Sequence, residues 1–134
     1  MVDQLNLEDR VNFLEALPQD QMVTYLAQAD VFCRPSRAEG LGNSFLEAMA
    51  VGVPCVGTPV GGIPDFLINN QTGFIAPVDN PEELAKVIRK VIELKDKPSL
   101  VELIERARQV VKEKYNLTTV VAQMDKLFST IKVK

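Results

Sequence analysis

One stretch constrains the fold of this chain more than any other: residues 35–54, PSRAEGLGNSFLEAMAVGVP. It reads as a strand end, a tight glycine-bearing loop, a short helix and a stop. Gly40 and Gly42 carry no side chain, so the backbone there can come close to a ligand. The helix closes at Gly52, and Pro54 forbids its continuation. Strand–glycine loop–helix units of this kind are common in α/β proteins.

Two carboxylates bracket the loop and the helix start, Glu39 just before Gly40 and Glu47 eight positions later. The N–H groups of Asn43, Ser44 and Phe45 have no partner inside a helix that begins there, which makes an anion site. A carboxylate would repel a phosphate in that site. Glu39 and Glu47 are better suited to accepting hydrogen bonds from hydroxyls beside it, and phosphate flanked by diols describes a sugar nucleotide. A structural reading stands next to this one. Ser44-Phe45-Leu46-Glu47 is also a capping box, with Glu47 reaching back to the Ser44 N–H, and Glu39 can be a solvated loop residue.

The remaining chain is expected to supply strands and helices in alternation. Val11-Asn12-Phe13-Leu14 reads as a first strand, and Pro18-Gln19-Asp20 opens a helix with Met22, Tyr25, Leu26 and Ala29 on one face. Val31-Phe32-Cys33-Arg34 is the next strand, and residues 53–58 form a continuous apolar one, as in buried parallel sheets. Thr58-Pro59-Val60-Gly61-Gly62 is a second glycine loop, followed by a short helix over 63–68 and a last strand, Phe74-Ile75-Ala76. Asn80-Pro81-Glu82-Glu83 starts a helix with a cap, a proline at the first position and acids in the first turn. Leu84, Val87, Ile88, Val91 and Leu94 give it a buried stripe. Two further helices are expected over about 100–114 and 118–131. Alternation implies a parallel sheet with right-handed crossovers. Both glycine loops follow strands directly, so both should lie on the rim where such sheets bind ligands.

Composition excludes several classes. The 134 residues suffice for one domain with a core, and no apolar run approaches the ~18 residues of a membrane helix. There is no histidine and no C-x-x-C, so no metal-ligand set is visible. Cys33 and Cys55 lie in apolar runs and read as buried free thiols, the alternative being a disulfide. Residues 1–80 carry three basic and ten acidic side chains, whereas residues 81–134 carry twelve and eight. The basic tail alternates lysine with glutamate at helical spacing, as a solvated helix face does, and nothing supports nucleic-acid binding.

The series Val11-Asn12-Phe13-Leu14, Ala29-Asp30-Val31-Phe32, Pro35-Ser36-Arg37-Ala38-Glu39-Gly40-Leu41-Gly42, Leu46-Glu47-Ala48-Met49-Ala50, Gly52-Val53-Pro54, Gly61-Gly62-Ile63-Pro64-Asp65 and Thr72-Gly73-Phe74 resembles the C-terminal domain of retaining GT-B glycosyltransferases of family 4. The likeness covers nearly the whole chain in order. Glu39 and Glu47 match that family's paired glutamates. The resemblance implies a Rossmann-like, three-layer α/β/α fold around a parallel sheet of about four strands, and a domain that binds a nucleotide-sugar donor such as a UDP-sugar or GDP-mannose. It implies that Glu39, as the catalytic glutamate, meets hydroxyls of the transferred sugar and that Glu47 meets the ribose. Backbone N–H groups of Gly40, Leu41, Gly42, Asn43 and Ser44 would hold sugar and pyrophosphate, and the turn near Ala16 and Leu17 would meet the nucleobase. It further implies retention of anomeric configuration, no metal or other cofactor, a role in polysaccharide biosynthesis, and a cytoplasmic location, peripheral at the membrane in the full-length enzyme.

The chain also departs from the family. Glu15 stands where glycine is usual, Asp65 where glutamate is commoner, and Arg34 where an apolar residue precedes Pro-Ser. Arg34 can reach toward a phosphate or simply face solvent at the strand end. An N-terminal acceptor domain, and two strand–helix units with the Arg and Lys that neutralise pyrophosphate, have no counterpart here. The chain is therefore expected to be one partial domain, 1–134, inactive alone. Its missing strands would leave an apolar edge, expected to pair with a second copy or to be closed by the first strand in a new register. Three functions compete: a donor-binding half, a non-catalytic nucleotide- or partner-binding module, and a plain scaffold whose glutamates cap a helix.

Overall fold

The computed structural model describes residues 1–131. Three short parallel strands form an open sheet in the order β1 (Phe32–Arg34), β2 (Cys55–Gly57), β3 (Phe74–Ile75). Phe32 stands opposite Cys55, Cys33 opposite Val56, and Val56 opposite Phe74. The helices are α1 (Gln19–Gln28), α2 (Asn43–Val51), α3 (Pro81–Glu93), α4 (Pro98–Val110) and α5 (Leu117–Thr130). A 3-10 turn, Ile63–Asp65, replaces the short helix expected after the second glycine loop.

The sheet register sorts the core into two layers. On one face Cys55 packs with Phe45 and Met49 of α2, with Phe66 and Leu67, and with Leu26 of α1. On the other, Val56 and Phe74 pack with Val91 of α3 and with Leu100 and Leu103 of α4. The expected α3 stripe of Leu84, Val87, Ile88, Val91 and Leu94 lies wholly in this second layer. Helix α4 serves both layers, because Ala107 one turn further on belongs to the first. The parallel sheet expected from alternation and the α/β/α layering implied by the resemblance are thus both present. Because side chains alternate along a strand, the two thiols lie on opposite faces of the sheet and cannot pair.

Two expectations fail. Val11, Asn12, Phe13 and Leu14 form no strand: the segment is irregular and Phe13 is 82% exposed. A strand is held by its neighbour's ladder, and no described strand offers one here, so the outer edge of β1 is neither closed by this segment nor paired. Among the described residues the sheet accordingly has three strands where about four were expected. On α1 only Leu26 is buried, while Met22, Tyr25 and Ala29 remain exposed, because α1 meets α2 and no strand beside β1.

Helix α2 is bounded by glycine at both ends. Gly42 caps its start at φ +86° and Gly52 its end at φ +97°. The N–H groups of Gly52 and Val53 both return to the Ala48 carbonyl, and the Arg108 guanidinium donates to the Val51 carbonyl. Helix α3 begins as its sequence predicts, with the Asn80 side chain accepting from the Glu83 N–H at 3.0 Å. Helix α4 runs into a π-helical turn, Val111–Tyr115. Helix α5 then buries none of its residues, and Leu117, Met124, Leu127 and Phe128 all face out.

Candidate functional site

The two glycine loops meet. Gly62 donates its backbone N–H to the Gly40 carbonyl at 2.7 Å. Gly61, at φ +55°, lies so close to the first loop that a Cβ there would stand 1.9 Å from the Glu39 carbonyl oxygen. Thr58, at the end of β2 and fully buried, donates its hydroxyl to the Ser36 carbonyl at 2.5 Å. Residues 36–42 are therefore held from beneath by residues 58–62, as expected of loops leaving neighbouring parallel strands at one rim.

At the helix mouth the structure narrows the sequence reading. The Phe45 N–H is already bonded to the Gly42 carbonyl at 2.9 Å, because the left-handed Gly42 turns the chain into α2 at once. The free amides of the first turn are those of Asn43 and Ser44. The same early start removes the capping box: Ser44 is the second residue of α2 rather than its cap, and no side chain caps this helix. The Glu47 side chain is exposed and makes no hydrogen bond among the described residues.

Glu39 is held tightly. Its side chain is only 15% exposed, and its Oε2 accepts from the Ser36 hydroxyl at 3.3 Å and pairs with Arg34 at 3.1 Å. The other arm of the Arg34 guanidinium donates to the Ser44 hydroxyl at 2.9 Å. Arg34 thus ties the carboxylate before the glycine loop to the first turn of the helix after it. Arg34, Ser44 and Glu47 also line a hollow of about 230 Å³, whose apolar floor is Met22, Leu26 and Phe32.

The structure therefore brings Glu39, Gly40, Leu41, Gly42, Asn43 and Ser44 together around one loop, with Glu47 beside Arg34 in the adjoining hollow. Ala16 and Leu17 lie apart in the irregular segment before α1, Ala16 exposed and Leu17 half-buried, and neither bonds to the loops. A larger cleft of about 540 Å³ runs between Pro35, Pro77 and Pro81, crossed by the exposed Arg37–Asp79 pair at 2.6 Å. It contains none of residues 39–47, whereas the smaller hollow takes in Arg34, Ser44 and Glu47, and Glu39 adjoins it through its ion pair with Arg34. Among the described residues no group of three or more His, Cys, Asp and Glu could hold a metal ion, and no helix is long and apolar enough to cross a membrane.

The family model described as glycosyl transferases group 1 matches residues 1–110. The chain belongs to that family. It is 37% identical to the N-acetyl-alpha-D-glucosaminyl L-malate synthase of Bacillus anthracis over 96% of this chain and 32% of that protein. The chain spans about a third of the length of the curated relatives it matches. Its fold is like that of Anabaena Alr3699/HepE, solved with UDP and glucose, at a TM-score of 0.88 and 24% identity over 97% of this chain and 35% of that one. It is also like the C-terminal domain of a glycosyl transferase group 1 family protein (LpcC) from Francisella tularensis, at a TM-score of 0.75 and 20% identity, covering 87% and 59% of the two chains. These likenesses establish the fold.

Within this group 1 chain, sequence reasoning missed Ser36 and Thr58 altogether and left Arg34 between two readings. Ser36 and Thr58 act on partners fixed by the tertiary fold, and no local pattern marks them. Arg34 does carry a signal: a cation at a strand end, one residue before the loop, in an otherwise apolar run.

Proposed function

We propose that this chain is the donor-binding part of a GT-B glycosyltransferase of the retaining family 4 kind, taking a nucleoside diphosphate sugar. The observation that carries the reading is the junction of the two glycine loops, Gly62 to Gly40, which holds Glu39 beside the free amides of Asn43 and Ser44. The family membership and the UDP and glucose bound by the Anabaena protein support it.

In this reading Glu39 accepts hydrogen bonds from the transferred sugar and is the catalytic carboxylate. The N–H groups of Gly40, Leu41, Gly42, Asn43 and Ser44 serve sugar and diphosphate, where the start of α2 favours negative charge. Glu47 holds the ribose across the hollow, and Ala16 and Leu17 meet the base. The leaving diphosphate is offset by backbone and basic side chains rather than by a metal, and it helps deprotonate the acceptor on the same face, so configuration is retained. UDP-sugars and GDP-mannose are the donors to try first, and polysaccharide assembly in the cytoplasm is the setting. The acceptor side and further basic ligands belong to another part of the enzyme, so this chain, as one partial domain, binds donor without completing transfer. A second copy pairs along the outer edge of β1; a strictly monomeric chain by light scattering removes that part.

Calorimetric titration with UDP-, GDP- and ADP-sugars tests the reading. One donor is expected to bind weakly, with Glu39→Ala and Glu47→Ala each weakening it by about 1–3 kcal/mol, the worth of a hydrogen bond to a charged group. Glu47→Ala is expected to leave stability unchanged, since Glu47 caps nothing. Absence of binding by every donor at millimolar concentration would sink the proposal.

A further inference from the structure

We infer that Arg34 is a positioning residue for the donor sugar, holding Glu39 by one carboxylate oxygen so that the other is presented to the ligand. The inference rests on the donor-binding reading and adds to it a residue that departs from the family pattern.

The geometry is specific to one oxygen. Arg34 and the Ser36 hydroxyl both converge on Glu39 Oε2, at 3.1 and 3.3 Å. Oε1 accepts no hydrogen bond from the described residues, although a carboxylate has acceptor sites on both oxygens. A carboxylate held at one oxygen by two separate donors turns most readily about that anchor. Its free oxygen is therefore aimed before any ligand arrives, and such aiming is what a site must supply if it is to tell one hydroxyl pattern from another.

Arg34 is suited to the task by shape as well as charge. It is the last residue of β1, so its Cα is fixed by the sheet. Its second arm rests on the Ser44 hydroxyl at 2.9 Å, which anchors the guanidinium to α2 while the first arm holds Glu39. A lysine ammonium is a point charge on a flexible stem and lacks the planar fork that keeps two partners in fixed relation. Fold stability does not account for the arrangement. The Arg34 side chain is half exposed, and ion pairs of that kind add little to folding.

The test compares UDP with UDP-glucose, because only the second carries the hydroxyls Glu39 would meet. Dissociation constants for both are measured by calorimetry on the wild-type chain and on Arg34→Leu, Arg34→Lys and Glu39→Gln. The wild type is expected to bind UDP-glucose more tightly than UDP. Arg34→Leu should collapse that ratio towards one, as Glu39→Gln does, while leaving the UDP constant within about twofold; Arg34→Lys should restore the ratio in part. An unchanged ratio in Arg34→Leu overturns the inference, and so does a parallel loss of UDP affinity, which would make Arg34 a diphosphate ligand instead. A wild-type chain that binds neither of these ligands nor any GDP- or ADP-sugar overturns the donor-binding reading itself, and this inference with it. A wild type that binds both with a ratio untouched by Arg34→Leu overturns this inference alone.

Discussion

Gly62 and Gly40 share a backbone hydrogen bond of 2.7 Å, which makes two loops from different strands into a single platform. Because the bond joins main chain to main chain, side-chain substitution cannot replace it, and the approach it needs leaves no room for a Cβ at Gly61.

Gly61→Ala is expected to be destabilising by about 3 kcal/mol, since it combines a left-handed backbone with a methyl group driven into the Glu39 carbonyl. Gly40→Ala is the control: a Cβ there meets nothing within 4 Å, so stability should stay within about 0.5 kcal/mol of wild type. Urea unfolding of the two variants side by side checks the contrast, and equal losses would contradict the platform.

Phe45 is completely buried and stacks edge-on against Phe32 at 5.1 Å, with Phe66 at 6.2 Å on another side. Truncation to alanine removes the contact that seats α2 on the sheet, and a loss of about 3–5 kcal/mol is expected. The glycine loop leads directly into α2, so donor binding should disappear together with the stability, as read by thermal unfolding with and without ligand.

Asn80→Ala should lower stability by about 1 kcal/mol, the usual worth of a side-chain N-cap. Donor affinity should not change, because no residue of α3 lines the hollow beside Ser44. Chemical denaturation and calorimetry on the same variant separate the two effects.

Burial pushes the Cys55 thiol up from 9.0 to about 12. Between these values the unfolded chain has released a proton that the folded chain still holds, so the unfolded state binds fewer protons and stability falls as pH rises. The contribution is complete below about 9 and declines above it by at most about 1.4 kcal/mol per pH unit, until the folded thiol itself ionises near 12. Urea midpoints of wild type and Cys55→Ala, followed upward from neutral pH, should show this decline in the wild type only, after subtraction of the slope they share.

These expectations depend on features of unequal legibility. The start of α3 was readable because cap, proline and acidic first turn act within four residues of one another. The stop at Gly52 was readable for the same local reason. Val11 to Leu14 misled because a strand exists only through its neighbour, and apolar composition does not supply one. Ser44 to Glu47 misled in a subtler way: the capping-box letters are present, yet Gly42 at φ +86° starts the helix two residues earlier and leaves the pattern without a cap to form. The shared rim of the loops followed from topology, but the Gly62–Gly40 bond and the Arg34–Glu39 pair are tertiary contacts that no spacing rule encodes.

Helix α5 carries a consequence in time. Its Asn116 cap accepts from the Thr119 N–H at 2.9 Å and fastens the first turn to the body, while every side chain from Val121 to Thr130 is exposed. With so little burial to lose on opening, that length should separate from the sheet far below the free energy of global unfolding. Its amides are therefore expected to exchange with solvent deuterium early, while those of Val56 and Phe45 wait for the whole molecule to come apart.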